Sequence, residues 1–314
     1  MTSITGVRVA VLDIGTNSTR LMIADVDPAD GAVRELVRHS RVTRLGDGVD
    51  AGGSLSEQAI GRVLETLADY RQEIEANACE ANLAVMTSAV RDAANGEQFA
   101  ARVREEYGLD AQILEGEQEA QLTFLGAMAG READAEPTVV IDIGGGSTEF
   151  VFGVGRSAGF HVSVPIGVVR MSERHIEHDP PTPHELQELS NQTREAFLHA
   201  LPAAEREAVR SAIAVAGTAT SAASMEQELE PYDAGRVHGH PLLLATVELL
   251  LARLAEMTEE ERRLVPGLHP DRAPTIIAGM ILLSVAMRVL DLEQVEASEH
   301  DILYGGALRL AGLG

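Results

Sequence analysis

Apolar residues along this chain fall into two alternating kinds of run. Nearly continuous runs of strand length occupy residues 7–14, 20–26, 83–87, 111–114, 138–143, 149–154 and 212–216, the pattern of strands buried on both faces. Between them the spacing lengthens. In "SEQAIGRVLETLADYRQEIEANA" (residues 56–78), Ile60, Val63, Leu64, Leu67 and Ile74 recur on one helical face behind Ser56, a residue suited to capping. "EQEAQLTFLGAMAG" (117–130) is a second helical pattern, and "HIEHDPPTPHELQELS" is a proline-marked loop that feeds a third. After Leu242 the pattern reads as almost wholly helical. Strands interleaved with helices predict the α/β class.

One segment occurs twice. "VAVLDIGTNSTRLMIA" (9–24) and "VVIDIGGGSTEFVFG" (139–153) superpose at a shift of 129 positions, with Asp13 on Asp142, Gly15 on Gly144, Ser18 on Ser147 and Thr19 on Thr148. Two related α/β domains in tandem explain that shift. The polar stretch "READAEPT" (131–138) separates them, and the expected domains are residues 1–127 and 128–314. Each copy ends a buried strand on an aspartate, turns through small residues and returns as a strand. Gly15, Thr16, Asn17 and Ser18 in the first turn, and Gly144, Gly145, Gly146, Ser147 and Thr148 in the second, offer closely spaced N–H groups and hydroxyls to a phosphate. Asp13 and Asp142, at the strand ends, can hold a divalent cation directly or through its waters.

Three further segments carry chemistry. "AIAVAGTATSAA" joins a strand to a helix through Gly217 and Thr218, where a helix N-terminus favours an anion. "LAVMTSAVRDAAN" places Arg91 in the first turn of a helix, against the dipole, as a phosphate ligand would require. "QILEGEQEAQLTFLGAM" carries Glu115, Glu117 and Glu119 before an apolar helix. Acids there suit the dipole, and hydrolysis of a phosphoanhydride also needs one to orient or deprotonate water.

Composition narrows the chemistry. The 314 residues include 45% hydrophobic and 24% charged positions, with a net charge of −24 and no lysine. A Walker-type phosphate loop and a Schiff-base nucleophile both need the missing lysine. The acidic balance argues against nucleic acid as a partner, so a polyanionic ligand must be met by a metal ion and local arginines. The single cysteine, Cys79, excludes an internal disulfide and fits a reducing compartment. No signal-peptide pattern precedes residue 7, and the apolar run 275–287 is too short to span a bilayer. A cytoplasmic protein with no membrane partner is expected.

With "DIGTNSTRL", "TSAVRDA", "LEGEQEAQLTFLGA", "IDIGGGSTEF", "AGTATS" and "PDRAPTIIAG" in order along almost the whole chain, the sequence closely resembles the exopolyphosphatase and guanosine pentaphosphate phosphohydrolase (Ppx/GppA) family. The resemblance implies two duplicated domains of the actin, sugar kinase and Hsp70 ATPase type (ribonuclease H-like), closing on phosphates at an interdomain cleft. It implies Glu119 as the general base, beside Gln118 where many members carry a second glutamate, and Arg91 as a phosphate grip. It also implies Asp142 and Glu149 as Mg²⁺ carboxylates, with Mn²⁺ as a substitute ion, and Asn17, Ser18 and Arg20 as first-loop residues. A homodimer is the family's expectation.

Two departures accompany it. Longer members continue into a helical HD-type domain where this sequence stops, which leans towards short polyphosphate chains. Many members also carry an Arg-Glu/Asp-Gly element where this one has "DILYGG" (301–306). The pairs His178-Asp179 and His300-Asp301 read as incidental. The expected activity is Mg²⁺-dependent release of terminal orthophosphate from inorganic polyphosphate. The alternatives are a guanosine pentaphosphate 5′-phosphohydrolase, a kinase on the same fold, and a weakly catalytic polyphosphate or alarmone binder.

Overall fold

The computed structural model describes residues 6–131 and 136–313, so residues 132–135 of the expected linker lie outside the described residues. In chain order the first elements are β1 (Val7–Ile14), β2 (Ser18–Val26), β3 (Val33–Val42), α1 (Val49–Gly52), α2 (Glu57–Ala76), β4 (Ala81–Met86), α3 (Ser88–Arg91), α4 (Gly96–Tyr107), β5 (Ala111–Ile113) and α5 (Gly116–Ala127). There follow β6 (Pro137–Ile143), β7 (Thr148–Val154), β8 (Ser157–Val164), α6 (Val168–His175), α7 (Pro183–Ala200), α8 (Ala203–Ala208), β9 (Ser211–Val215), α9 (Ala216–Glu226) and α10 (Ala234–Val237). The last are β10 (His240–Leu243), α11 (Leu244–Ala255), α12 (Glu259–Arg262), α13 (Ile276–Val289), β11 (Gln294–Ala297) and α14 (Ile302–Leu310).

The duplication read from the motif extends to the sheets. One sheet runs β3-β2-β1-β4-β5 and the other β8-β7-β6-β9-β11-β10. In each, the first three strands are antiparallel and the next two join in parallel. The second sheet adds only β10, antiparallel to β11. Both motif turns therefore sit at equivalent places, each between two antiparallel strands, one of which is central in its sheet.

Sequence pattern explains most elements. Ser56 caps α2, accepting from the Ala59 N–H at 3.2 Å, and the helix buries Ile60, Val63, Leu67 and Tyr70 with Leu12, Ile14, Leu21 and Ile23 of the sheet. Thr182 caps α7 in the same way, with Glu185 returning the bond to its N–H at 2.7 Å. Four strands escape the apolar pattern. β3 ("VRELVRHSRV") and β8 are edge strands with solvent on much of their length, and β10 and β11 are four residues each. The last two correct the helical reading of the C-terminal part.

Two compact units result: Met1–Glu132 with Asp301–Gly314, and Ala133–His300. The expected division at residue 127 gave the C-terminal segment to the second domain, whereas α14 packs in the first unit. Its Leu303, Tyr304, Ala307 and Leu308 share a buried cluster with Val9, Val11 and Met22. The approach to α5 is close enough to demand glycine on both sides. A Cβ on Gly126 would lie 1.8 Å from the Asp301 carbonyl oxygen, and one on Gly305 would lie 1.9 Å from that of Leu122. Among the described residues no helix is long and apolar enough to cross a membrane.

Candidate active site

In the first unit, Asp13 is the next-to-last residue of β1 and the turn closes with Gly15 N–H donating to the Ser18 carbonyl at 3.0 Å. The turn's carbonyls are taken up by the segment after β3. Thr43 and Arg44 N–H groups donate to Asn17 O at 3.0 and 2.9 Å, and Gly46 N–H donates to Thr16 O at 2.9 Å. The N–H groups of Thr16 and Asn17 have no intrachain acceptor among the described residues, so they remain available as donors to an anion. Arg44 holds a φ of 48° beside this turn, a left-handed conformation that costs a non-glycine residue about 1–3 kcal/mol. Thr16 Oγ1 and Ser88 Oγ are hydrogen-bonded at 3.1 Å.

Burial separates the three glutamates. Glu115 and Glu117 are exposed, and Gln118 turns back to accept from the Glu115 N–H at 3.1 Å. Only Glu119 points inward, with 12% of its side chain exposed. Arg91 Nη1 donates to Glu119 Oε2 at 2.8 Å and to the Leu114 carbonyl at 2.9 Å. Burial pushes the Glu119 carboxyl above the ordinary range; Arg91 only partly offsets this, and the charges of Asp13 and Asp92 add to it. The structure thus brings Glu119, Arg91 and Asp13 into one electrostatic neighbourhood. It also revises the reason for Arg91. The residue ends a single-turn helix rather than opening a long one, and its partners include the Glu119 carboxylate and the Leu114 carbonyl.

Arg20, expected to contact phosphate, is heavily engaged within the unit. Its Nε and Nη2 donate to Asp13 Oδ2 at 2.8 and 2.6 Å, and its Nη1 donates to Asp301 Oδ2. Asp13 is nonetheless pushed up, because burial outweighs Arg20 and Asp301 repels it. The aspartates of His300-Asp301 and His178-Asp179 have structural partners. Asp301 caps α14, and Asp179 accepts from the Glu259 N–H and from Arg262 Nη2 at 3.1 Å.

In the second unit the turn has the same closure, Gly144 N–H to Ser147 O at 3.0 Å. Val168 N–H donates to Gly144 O and Val169 N–H to Gly145 O, both at 2.9 Å, so the start of α6 ties the turn down. Gly145 and Gly146 N–H groups have no intrachain acceptor among the described residues. Asp142 and Glu149 are cross-strand partners at the ends of β6 and β7, which puts two hard oxygen donors on one face beside the turn. Ser163 Oγ donates to Glu149 Oε1 at 2.7 Å. Among the described residues no group of three or more His, Cys, Asp or Glu could enclose a metal. Two adjacent carboxylates fit an ion such as Mg²⁺, which keeps water and phosphate oxygens in most of its shell.

Not every expected group faces outward. Thr148 is fully buried and its hydroxyl donates to Ile166 O at 2.6 Å; Thr19 likewise bonds Thr43 at 2.9 Å. These hydroxyls lock their turns rather than offer themselves to phosphate. Thr218 is buried beneath α13, where a Cβ on Gly279 would lie 2.7 Å from its Oγ1. At Gly217 the Arg272 guanidinium lies across the backbone, 1.4 Å from where a Cβ would stand, and Ala216 before it holds a φ of 62°. Arg272 was missed, although it lies in the quoted "PDRAPTIIAG". Gly46 and Gly167 were missed too; each follows a buried aliphatic residue, Leu45 and Ile166, and each presses on its unit's turn.

Known proteins share this arrangement. The profile of the Ppx/GppA phosphatase family matches residues 22–309. Exopolyphosphatase 2 of Mycobacterium tuberculosis is 37% identical over 97% of this chain and 99% of its own length. The crystal structure of the Aquifex aeolicus Ppx/GppA family member superposes with a TM-score of 0.82 at 30% identity, covering 98% of this chain and 97% of that one. An exopolyphosphatase from Cytophaga hutchinsonii does so with a TM-score of 0.85 at 25% identity, covering 98% and 99%. A family match over residues 22–309 and 37% identity to a relative that it covers almost end to end place this chain in the Ppx/GppA phosphatase family.

Proposed function

We propose that this chain is an exopolyphosphatase, hydrolysing the terminal phosphoanhydride of inorganic polyphosphate. The observation that carries the proposal is Glu119: a buried carboxylate, raised above its ordinary affinity for protons, held at 2.8 Å by an arginine that a phosphate can recruit. As general base it orients water and takes its proton. Arg91 and the N–H groups of Thr16 and Asn17 bind phosphate oxygens in the first unit; those of Gly145 and Gly146 do so in the second. Such fixed donors stabilise the charge that develops on the transferring phosphoryl group without reorganising. When phosphate draws Arg91 away, Glu119 loses its counter-charge and becomes a stronger base.

Asp142 and Glu149 are the residues that would hold Mg²⁺, oriented in part by Ser163. The ion supplies charge neutralisation on phosphate oxygens. Asp13, whose Oδ2 takes both of the Arg20 bonds to it, contributes negative charge next to Glu119 more directly than it contributes a ligand. Preference for short chains, a cytoplasmic site of action and a homodimer belong to the same proposal. Guanosine pentaphosphate offers the same terminal group and is the competing substrate.

The test is phosphate release with Mg²⁺ from short polyphosphate, long polyphosphate and guanosine pentaphosphate, comparing wild type with Glu119→Gln. Release fastest from short polyphosphate and reduced about 10²–10⁴-fold by the substitution is expected. The acid limb of the wild-type rate profile should lie above the ordinary carboxylate range. Release confined to guanosine pentaphosphate, or an active Glu119→Gln, would overturn the assignment.

A further inference from the structure

We propose that Asp301 is a positioning residue for the reaction: it holds Arg20 against Asp13 and so fixes the carboxylate near the end of β1. The inference rests on the reading of Glu119 as the base.

Asp301 does more than cap a helix. Its Oδ1 accepts from the Leu303 N–H at 3.0 Å, which is all that an N-cap requires. Serine or asparagine would serve there equally well. Yet the residue is 2% exposed, and burying a carboxylate is costly unless its charge is paired. The pairing is supplied on Oδ2 by Arg20 Nη1, with Arg38 Nη2 at 3.7 Å. The other side of the same guanidinium, Nε and Nη2, closes on Asp13 Oδ2 at 2.8 and 2.6 Å. A planar, rigid fork between two carboxylates transmits position from one to the other.

The frame behind Asp301 is stiff. Its own carbonyl abuts Gly126 of α5, and Gly305 abuts Leu122 of that helix. Because α5 carries Glu119 in its first turn, α14 is registered on the helix of the base while its cap reaches the strand of Asp13. A second tie runs outward: Tyr304 Oη donates to Glu35 Oε2 at 3.5 Å, and Arg38 Nη1 meets the same oxygen at 3.0 Å. The helix that follows residue 300 is thus tied to β2 and β3 through polar groups that its cap alone does not need, and to α5 through close backbone contacts.

The test uses Asp301→Asn and Asp301→Ser in the full chain, both of which retain a capping oxygen and lose the charge. Steady-state phosphate release from polyphosphate, measured well below each variant's melting midpoint, should show kcat reduced about tenfold or more, with KM changed less than about threefold. Adding Asp301→Asn to Arg20→Gln should cost almost nothing further, since both act through one group. A lowered midpoint with wild-type kcat, or full additivity with Arg20→Gln, would overturn the proposal. Should the single charge removals fail to fold, Arg20→Met with Asp301→Asn removes both charges together, and wild-type kcat in that folded pair would overturn it as well. A wild type silent on every phosphate substrate would instead remove the underlying hydrolase reading and this inference with it.

Discussion

Gly167→Ala separates backbone crowding from every other effect a glycine substitution can have. Gly167 has a φ of −133°, a conformation open to any residue, so the added methyl carries no dihedral penalty. What it carries is contact. The Cβ would stand 2.5 Å from Gly145 C and O and from Gly146 C, all backbone atoms of the second phosphate turn. Carbon–carbon contacts settle near 3.5 Å, so the turn has to retreat by about 1 Å. The turn cannot follow freely, because Gly144 O and Gly145 O are held at 2.9 Å by Val168 and Val169 N–H groups. Loss of those two bonds at about 1 kcal/mol each, with the ordinary 1–3 kcal/mol of overpacking, gives a destabilisation of about 3–5 kcal/mol.

Scanning calorimetry and steady-state phosphate release read the two consequences. For a unit of this size the melting midpoint should fall by about 6–20 °C. A displacement of about 1 Å in a positioning loop should lower kcat/KM by about 100-fold. Gly46→Ala is the internal comparison: there the Cβ meets Thr16 Cγ2 at 2.3 Å, the end of a side chain that can rotate. The cost is then the Thr16–Ser88 bond of 3.1 Å, about 1 kcal/mol. Equal and small effects at both positions would refute the reasoning, since they would show that the second turn is not braced by α6.

Other positions give opposite signs. Gly61 lies inside α2 with nothing within 4 Å of its would-be Cβ, so Gly61→Ala should stabilise by about 0.5–1 kcal/mol; a lowered midpoint would show an unrecognised contact. Asp25 is held below the ordinary carboxylate range by hydrogen bonds from Arg8 first and Arg34 next, against its burial. Its contribution is therefore present above the unfolded value near 4 and lost as pH falls through the folded one. Asp25→Asn should cost about 1–3 kcal/mol at pH 7 and progressively less below pH 4 in denaturant titrations. A cost independent of pH would show that the pair's charge is not what stabilises it.

Legibility in the sequence followed distance along the chain. Strands buried on both faces, such as β1 and β6, announce themselves through the unbroken apolar stretches Val9 to Leu12 and Val139 to Ile141 that precede the aspartate. The turns after them were legible because two copies constrain each other: Asp13 and Asp142 fall on the same ladder position, opposite Arg20 and Glu149. The braces on those turns were not, since Gly46 and Gly167 stand 121 positions apart rather than 129, the two units differing in the length between turn and brace. Edge strands β3 and β8 are half solvated, so their polar residues mask the alternation.

Asp301 was the hardest to see, and for a physical reason. Its meaning lies in Arg20, 281 residues away, and a motif scan weighs it only against His300 beside it. A carboxylate becomes informative when its burial is known, because only then must something balance its charge. The same holds for Glu119 beside its two neighbours: Glu115 and Glu117 satisfy the helix dipole from solvent, and burial alone marks the one whose proton affinity is raised. In this fold the candidate site residues are those whose polarity conflicts with their surroundings, and that conflict exists only once the chain has folded.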